Sequence, residues 1–179
     1  MGAEIIKVES PSGDSFRKTG PPFQNGESAY FFSVNRNKKC IAVDLKKPEG
    51  IEIVKSIARD VDVVIENFRP GVMDRLGLGY EAINSENGKI IYGSLSAFGD
   101  IGPYRDKPGF ELIIQSLTGM VDLASEPNGK PSKIQIQIVD LCAGLFLSIA
   151  ILGALHHRNI TGEGQQVKTS LLETSVAML

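Results

Sequence analysis

The chain has 179 residues, 42% apolar and 22% charged, a usage that excludes a disordered tail, a coiled coil and a collagen-like fibre. Its 19 basic and 21 acidic side chains leave a net charge of −2, without the basic balance of a nucleic-acid binder. Two cysteines, Cys40 and Cys142, are too few for a disulfide framework and read as small buried hydrophobes.

In chain order, Ile5, Ile6 and Val8 form a strand with no lead-in. Residues 10–27 hold Pro11, Gly13, Gly20, Pro21, Pro22 and Gly26 and read as a long loop. Residues 28–36, with Tyr30, Phe31 and Phe32, fit a helix or a strand. Residues 40–45 read as a buried strand. Pro48 then sits at a first helical position, with Ile51, Val54, Ile57 and Ala58 at helical spacing. A strand follows at residues 61–65, and Pro70 reads as a second helix start. Another strand covers residues 90–95, after the turn Asn87-Gly88, and residues 111–120 are helix-like. Ile134, Ile136 and Ile138 alternate with Gln135 and Gln137, the period of a half-buried or edge segment. Asp140 opens a long helix to about Arg158, broken by Gly162 and Gly164. A last strand at residues 166–170 leads into a helix from Leu171.

The apolar stretch at residues 141–155 is 15 residues long and contains Ser148. A bilayer span needs about 20, so a buried helix is expected. No basic segment followed by an apolar run opens the chain, and no secretory signal is expected. These features read as a soluble, cytoplasmic protein with no membrane partner. Val- and Ile-rich strands alternating with helices imply βαβ units and a mostly parallel sheet. No repeat or composition shift marks a linker.

Several side chains suit chemistry. Asn67-Phe68-Arg69-Pro70-Gly71 follows a strand directly, where ligands bind in open α/β sheets. There Phe68 suits a base, Arg69 and Arg75 suit phosphates, and a helix from Pro70 would offer free N–H groups. The same segment also reads as an ordinary turn. Asn35-Arg36-Asn37-Lys38-Lys39 fits a phosphate contact or a solvated basic turn. Asp140 has two compatible readings. It fits an N-cap, and it fits a carboxylate kept ionised at a helix start for attack on a carbonyl. Gly144 leaves room one turn on. Glu111 reads as a first-turn acid, and His156 and His157, adjacent with no cysteine nearby, as structural rather than metal-binding. Gly77-Leu78-Gly79 and Gly162-Glu163-Gly164 lack the further residues of a dinucleotide or P-loop motif.

Taken together, residues 2–9, Gly13-Asp14 with Arg17, residues 35–39, Asp44-Leu45-Lys46 and Pro48-Glu49-Gly50 form an ordered set of motifs. Glu66-Asn67-Phe68-Arg69-Pro70-Gly71 with Asp74-Arg75-Leu76-Gly77 continues it. Ser96-Ala97-Phe98-Gly99, Gly102-Pro103-Tyr104, residues 139–144, His157-Arg158, residues 161–165 and Ser170-Leu171-Leu172-Glu173 complete it. This set resembles the class III CoA-transferases, which include formyl-CoA transferase, carnitine CoA-transferase and the α-methylacyl-CoA racemases.

The resemblance implies an α/β fold: an incomplete Rossmann-like domain with a mostly parallel sheet and flanking helices. Residues 1–179 would form part of the family's larger domain, without its first βα unit, its smaller domain or its glycine-rich loop. Family members form interlocked homodimers, and the isolated chain is expected to associate and to lack transfer activity. By position, Asp140 matches the catalytic nucleophile. Val43, Asp44, Leu45, Lys46, Asn67, Phe68, Arg69 and Arg75 match the CoA site. Pro108, Gly109, Phe110 and Glu111 match the stretch beside the CoA arm near the thioester. Ser10 stands where the family often has an arginine, and Pro108 where some transferases have a lysine.

The implied reaction moves CoA from an acyl-CoA to a small carboxylic acid through an aspartyl intermediate. CoA is then a substrate, with no tightly bound cofactor. Backbone N–H groups near Asp140 would stabilise the oxyanions. One alternative is racemisation, which needs a base and an acid flanking the substrate. Racemases of this family carry a His-Asp pair where this chain has Phe110-Glu111. Another alternative is a non-catalytic CoA-binding domain.

Overall fold

A computed structural model describes residues 2–179. The chain divides into two compact units, Met1–Ser56 and Ile57–Leu179.

In the first unit, β1 (Ile5–Glu9) pairs in parallel with β4 (Lys38–Ala42), Ile5 opposite Lys38 and Glu9 opposite Ala42. The Val43 N–H continues the ladder to the Glu9 carbonyl at 2.8 Å. The segment between them is not the plain loop its composition implies. A 3-10 turn, Ser15–Lys18, is capped by the Asp14 side chain. Then β2 (Phe23–Gln24) and β3 (Glu27–Ser28) form a small antiparallel hairpin. Its turn residues Asn25 and Gly26 both have positive φ, 51° and 83°, the backbone for which Asn-Gly is favoured. The buried Ser28 accepts from the Tyr30 and Phe31 N–H groups and opens α1 (Ala29–Asn35), which settles the ambiguous segment as helix.

The buried strand expected at residues 40–45 is shorter and more open than its composition implies. It ends at Ala42, Cys40 is exposed, and Val43 is the buried residue. A two-stranded pair leaves much of each strand uncovered, so Ile5 and Ile6 stay 43% and 42% exposed. Helix α2 (Pro48–Arg59) begins at Pro48 as expected, and Gly50 lies against the Asp44 carbonyl with no space for a Cβ.

In the second unit, β5 (Val63–Glu66), β6 (Ile91–Ser96) and β7 (Gln165–Ser170) form a parallel sheet in that order. The helix α7 (Ile138–Thr161) lies on this sheet, with Leu147, Ile151 and Ala154 packed against Ile91 and Val167. A Cβ at Gly93 would sit 3.2 Å from the Ile151 Cδ1, so glycine lets helix and strand approach closely. Gly162, at φ 81°, ends α7 as its position implies. The helix is not buried throughout. Leu141, Leu145, Ile149 and Leu152 are 50% or more exposed on its other face. Its 24 residues make it long and apolar enough to cross a membrane by composition, although one face belongs to the core.

Three further expectations change. Pro70 does not start a helix. Gly71 takes a left-handed conformation, and the single turn α3 (Val72–Arg75) begins after it. The helix at residues 111–120 is two elements, α5 (Glu111–Leu117) and α6 (Met120–Leu123), parted at left-handed Gly119. Residues 134–137 form no strand, and Ile138 already belongs to α7. A second cluster joins Phe98, Ile114, Met120, Val139, Ala143 and Leu171. The last of these opens α8 (Leu171–Ala177), where the Ser170 hydroxyl accepts the Glu173 N–H at 3.1 Å and donates to the Glu173 carboxylate at 2.8 Å.

Candidate active site

Two sites lie at the carboxyl end of the β5–β6–β7 sheet. The first is a cleft of about 180 Å³, lined among others by Phe68, Arg69, Tyr80, Tyr92, Gln166 and Lys168. Phe68 and Arg69 reach it because the chain turns sharply after β5. The Glu66 carboxylate accepts the Phe68 N–H at 2.8 Å and fixes that turn. Phe68 remains 45% exposed, which leaves its ring free to stack. Arg75 closes the same turn: a methyl at Gly71 would meet its Nη1 at 3.1 Å. Asn67 and Arg75 border this turn without lining the cleft.

Tyr92, Gln166, Lys168 and Asp100, which no sequence motif marked, also line the cleft. Tyr92 donates to the Leu78 carbonyl at 2.9 Å, and burial, with the charges of Glu66 and Asp74, pushes its phenol up. Lys168 pairs with Asp100 at 2.6 Å and holds that carboxyl below its ordinary range. Gln166 and Lys168 stand two apart on a strand, which places them on one face. That period was the available signal.

The second site is the start of α7. Asp140 is not the N-cap. That position is Gln137, whose side chain makes no capping bond. The cap comes from another element. Glu111, first residue of α5, accepts the Val139 N–H on Oε1 at 3.1 Å and the Asp140 N–H on Oε2 at 2.8 Å. Glu111 is therefore more than a first-turn acid of its own helix, and Asp140 is released from capping. The Ile138 and Leu141 N–H groups are taken by the Ile136 and Gln137 carbonyls, at 2.8 and 3.0 Å. The four amides at residues 138–141 are thus all engaged, and none is free for an oxyanion.

The Asp140 carboxyl lies above its ordinary pKa. Protein atoms crowded around it disfavour the charge, and the Glu111 carboxylate adds to this, although the residue stays open to solvent on one side. A Cβ at Gly144 would meet nothing within 4 Å, so space is open one turn along, as expected. Pro108 and Phe110 are exposed, Phe110 at 71%. Gly109 is pressed against the segment that follows β6: a Cβ there would stand 2.5 Å from that of Ala97 and 2.9 Å from the Phe98 ring. Phe98 packs with Val139 and Ala143.

Val43, Asp44, Leu45 and Lys46 belong to the other unit. The Asp44 side chain accepts the Lys46 N–H at 3.0 Å, which forms the turn into α2. His156 and His157 stand near the end of α7, about four and a half turns of helix beyond Asp140.

The sequence profile of CoA-transferase family III matches residues 1–179. The chain is 41% identical over 186 residues to a succinate–glutarate CoA-transferase of Agrobacterium fabrum, covering 100% of this chain and 46% of that protein. It is 43% identical to a succinyl-CoA:glutarate CoA-transferase of Mus musculus, covering 100% of this chain and 41% of the relative. The crystal structure of a CAIB/BAIF family protein from Brucella suis superposes with a TM-score of 0.96 at 42% identity, over 99% of this chain and 48% of that one. The chain thus spans about half the length of the relatives it matches. It belongs to CoA-transferase family III.

Proposed function

We propose that the protein transfers CoA from an acyl-CoA to a free carboxylic acid, with Asp140 as the nucleophile. The observation that carries this reading is the uncapped Asp140 carboxylate, held at a helix start whose amides are closed by Glu111. The substrates are short dicarboxylates, supported by the names of relatives that pair succinate or succinyl-CoA with glutarate. CoA binds as a substrate. Phe68, Arg69 and Arg75 meet its adenosine-phosphate end. Asn67 borders them, and Pro108, Gly109, Phe110 and Glu111 flank the arm near the thioester.

An Asp140 oxygen attacks the thioester carbonyl and expels CoA thiolate, giving an aspartyl–acyl anhydride. The thiolate attacks the aspartyl carbonyl, releases the donor acid as its carboxylate, and leaves an aspartyl-CoA thioester. The acceptor carboxylate attacks this thioester and expels the thiolate again, forming a second anhydride. Attack of the thiolate on the acceptor's carbonyl yields the new acyl-CoA and restores Asp140. No electrons are gained or lost, and each step replaces one acyl bond by another. Oxyanion donors come from groups other than the amides at residues 138–141. Exposed Leu141, Leu145, Ile149 and Leu152 support a homodimer, readable by light scattering.

The test is chemical trapping. With succinyl-CoA present, hydroxylamine should convert Asp140 to its hydroxamate, seen by peptide mass spectrometry, and Asp140→Asn should abolish both the adduct and turnover. Near-normal turnover in that variant would reject the nucleophile.

A further inference from the structure

We propose that Gln115 is a positioning residue for Asp140, acting through Glu111. This inference rests on the reading of Asp140 as the nucleophile. Gln115 lies one turn after Glu111 on α5, so their side chains share a face. It is fully buried, which is unusual for a glutamine, and it reaches no solvent.

Both ends of its carboxamide are used. Oε1 accepts the Ile134 N–H at 3.0 Å, and Nε2 donates to the Ile134 carbonyl at 3.4 Å and to Glu111 Oε1 at 2.6 Å. That Glu111 oxygen also receives the Val139 N–H, while its other oxygen receives the Asp140 N–H. The bond from Gln115, added to those from Val139 and Asp140, leaves one orientation. A continuous path therefore runs from the backbone of Ile134 through Gln115 and Glu111 to the amide of the nucleophile. An apolar side chain of the same length would fill the site without the cost of burying an amide, so packing does not account for a glutamine here. Glu111 on α5 and Asp140 on α7 are the charged groups joined at this point among the described residues.

The decisive variant is Gln115→Glu in the intact protein. It keeps an acceptor for the Ile134 N–H but turns a carboxylate, instead of a donor, toward Glu111. Expected at neutral pH is a kcat about 10- to 100-fold below wild type, with KM for succinyl-CoA changed less than about threefold. The deficit should shrink as pH falls, because the introduced carboxyl donates again once protonated. Hydrogen exchange at the Val139 and Asp140 amides should accelerate by about tenfold or more at neutral pH, which reads positioning without reference to turnover. If that variant does not fold, Gln115→Met, of similar length and without an amide, carries the kcat and exchange measurements. Wild-type kcat and unchanged exchange at those two amides would overturn the proposal. Asp140→Asn is measured alongside. If it stays active, the nucleophile reading fails. If it is inactive while Gln115→Glu matches wild type, only the role of Gln115 fails.

Discussion

Asp140 stands in the first turn of a helix that another residue caps, and this separates its chemistry from its contribution to stability. Because no backbone amide depends on its side chain for a cap, an asparagine there loses no capping bond. Its raised pKa also fixes a sign. A carboxyl whose folded pKa exceeds the unfolded value opposes folding while ionised, and the penalty vanishes as pH falls through the folded and then the unfolded value. Asp140→Asn should therefore melt at or above the wild-type temperature at pH 7. The difference should close below about pH 4, the ordinary carboxylate range. Paired thermal melts by circular dichroism across that interval check this, and a variant that melts well below wild type at pH 7 would contradict it. Arg75 gives a binding prediction at the same scale. Its guanidinium closes the turn after β5 beside Gly71 and stays exposed. Arg75→Ala should weaken CoA binding by about 1–3 kcal/mol, the loss of a bond to a charged group. Calorimetry with CoA decides, and unchanged affinity would remove Arg75 from the site.

Elements whose signals are local were legible in the sequence. Pro48 at a first helical position, Gly162 at a helix end and the turn Asn87-Gly88 ahead of β6 each name their own structure. The elements that differ are those set by distant partners. Ile134, Ile136 and Ile138 alternate like a strand, yet the Ile134 N–H and carbonyl, which a neighbouring strand would take, are occupied by the Gln115 side chain. Asp140 carries the residue type of a cap, but the cap is a carboxylate 29 positions earlier. Neither arrangement is visible in a pattern read over a few residues. The split at Gly119 and the late start of α3 turn on glycines with φ of 84° and 76°, where the backbone leaves the right-handed helix. The borrowed cap makes α7 depend on α5. Glu111→Ala should cost about 1–3 kcal/mol, because it frees two amides at once and removes a negative charge from the positive end of the helix. Denaturant titrations measure it. A loss within about 0.5 kcal/mol, as for an ordinary surface change, would show that the two bonds carry little.

At the scale of the molecule, the two units are held by different forces. The second rests on apolar clusters around α7 and the three-stranded sheet. The first has a thin two-stranded sheet, and its best-satisfied centre is ionic. The nearly buried Glu9 takes Arg17 Nη2 at 3.0 Å and Lys7 Nζ at 3.1 Å. Arg17 also reaches Glu27 at 3.0 Å and lies over the Phe31 ring at 4.1 Å, and Lys7 meets Asp14 at 2.5 Å. The Arg17 guanidinium holds the Glu9 carboxyl down at about 2, against the cost of burial and with help from Lys7 and the Asp14 N–H. A folded pKa below the unfolded value contributes stability that is complete above about 4.5 and is lost as pH falls toward about 2. Acid should therefore open the first unit before the second. Pepsin, active throughout that window, should release peptides from residues 2–56 at rates that climb between pH 4.5 and 2, while residues 57–179 resist longer. In Arg17→Gln the Glu9 carboxyl loses its principal partner, so cleavage should already be fast at pH 4.5 and change less on further acidification. Early peptides drawn mainly from residues 57–179, or an unaltered pH response in Arg17→Gln, would show that the ionic centre does not govern the acid stability of the first unit.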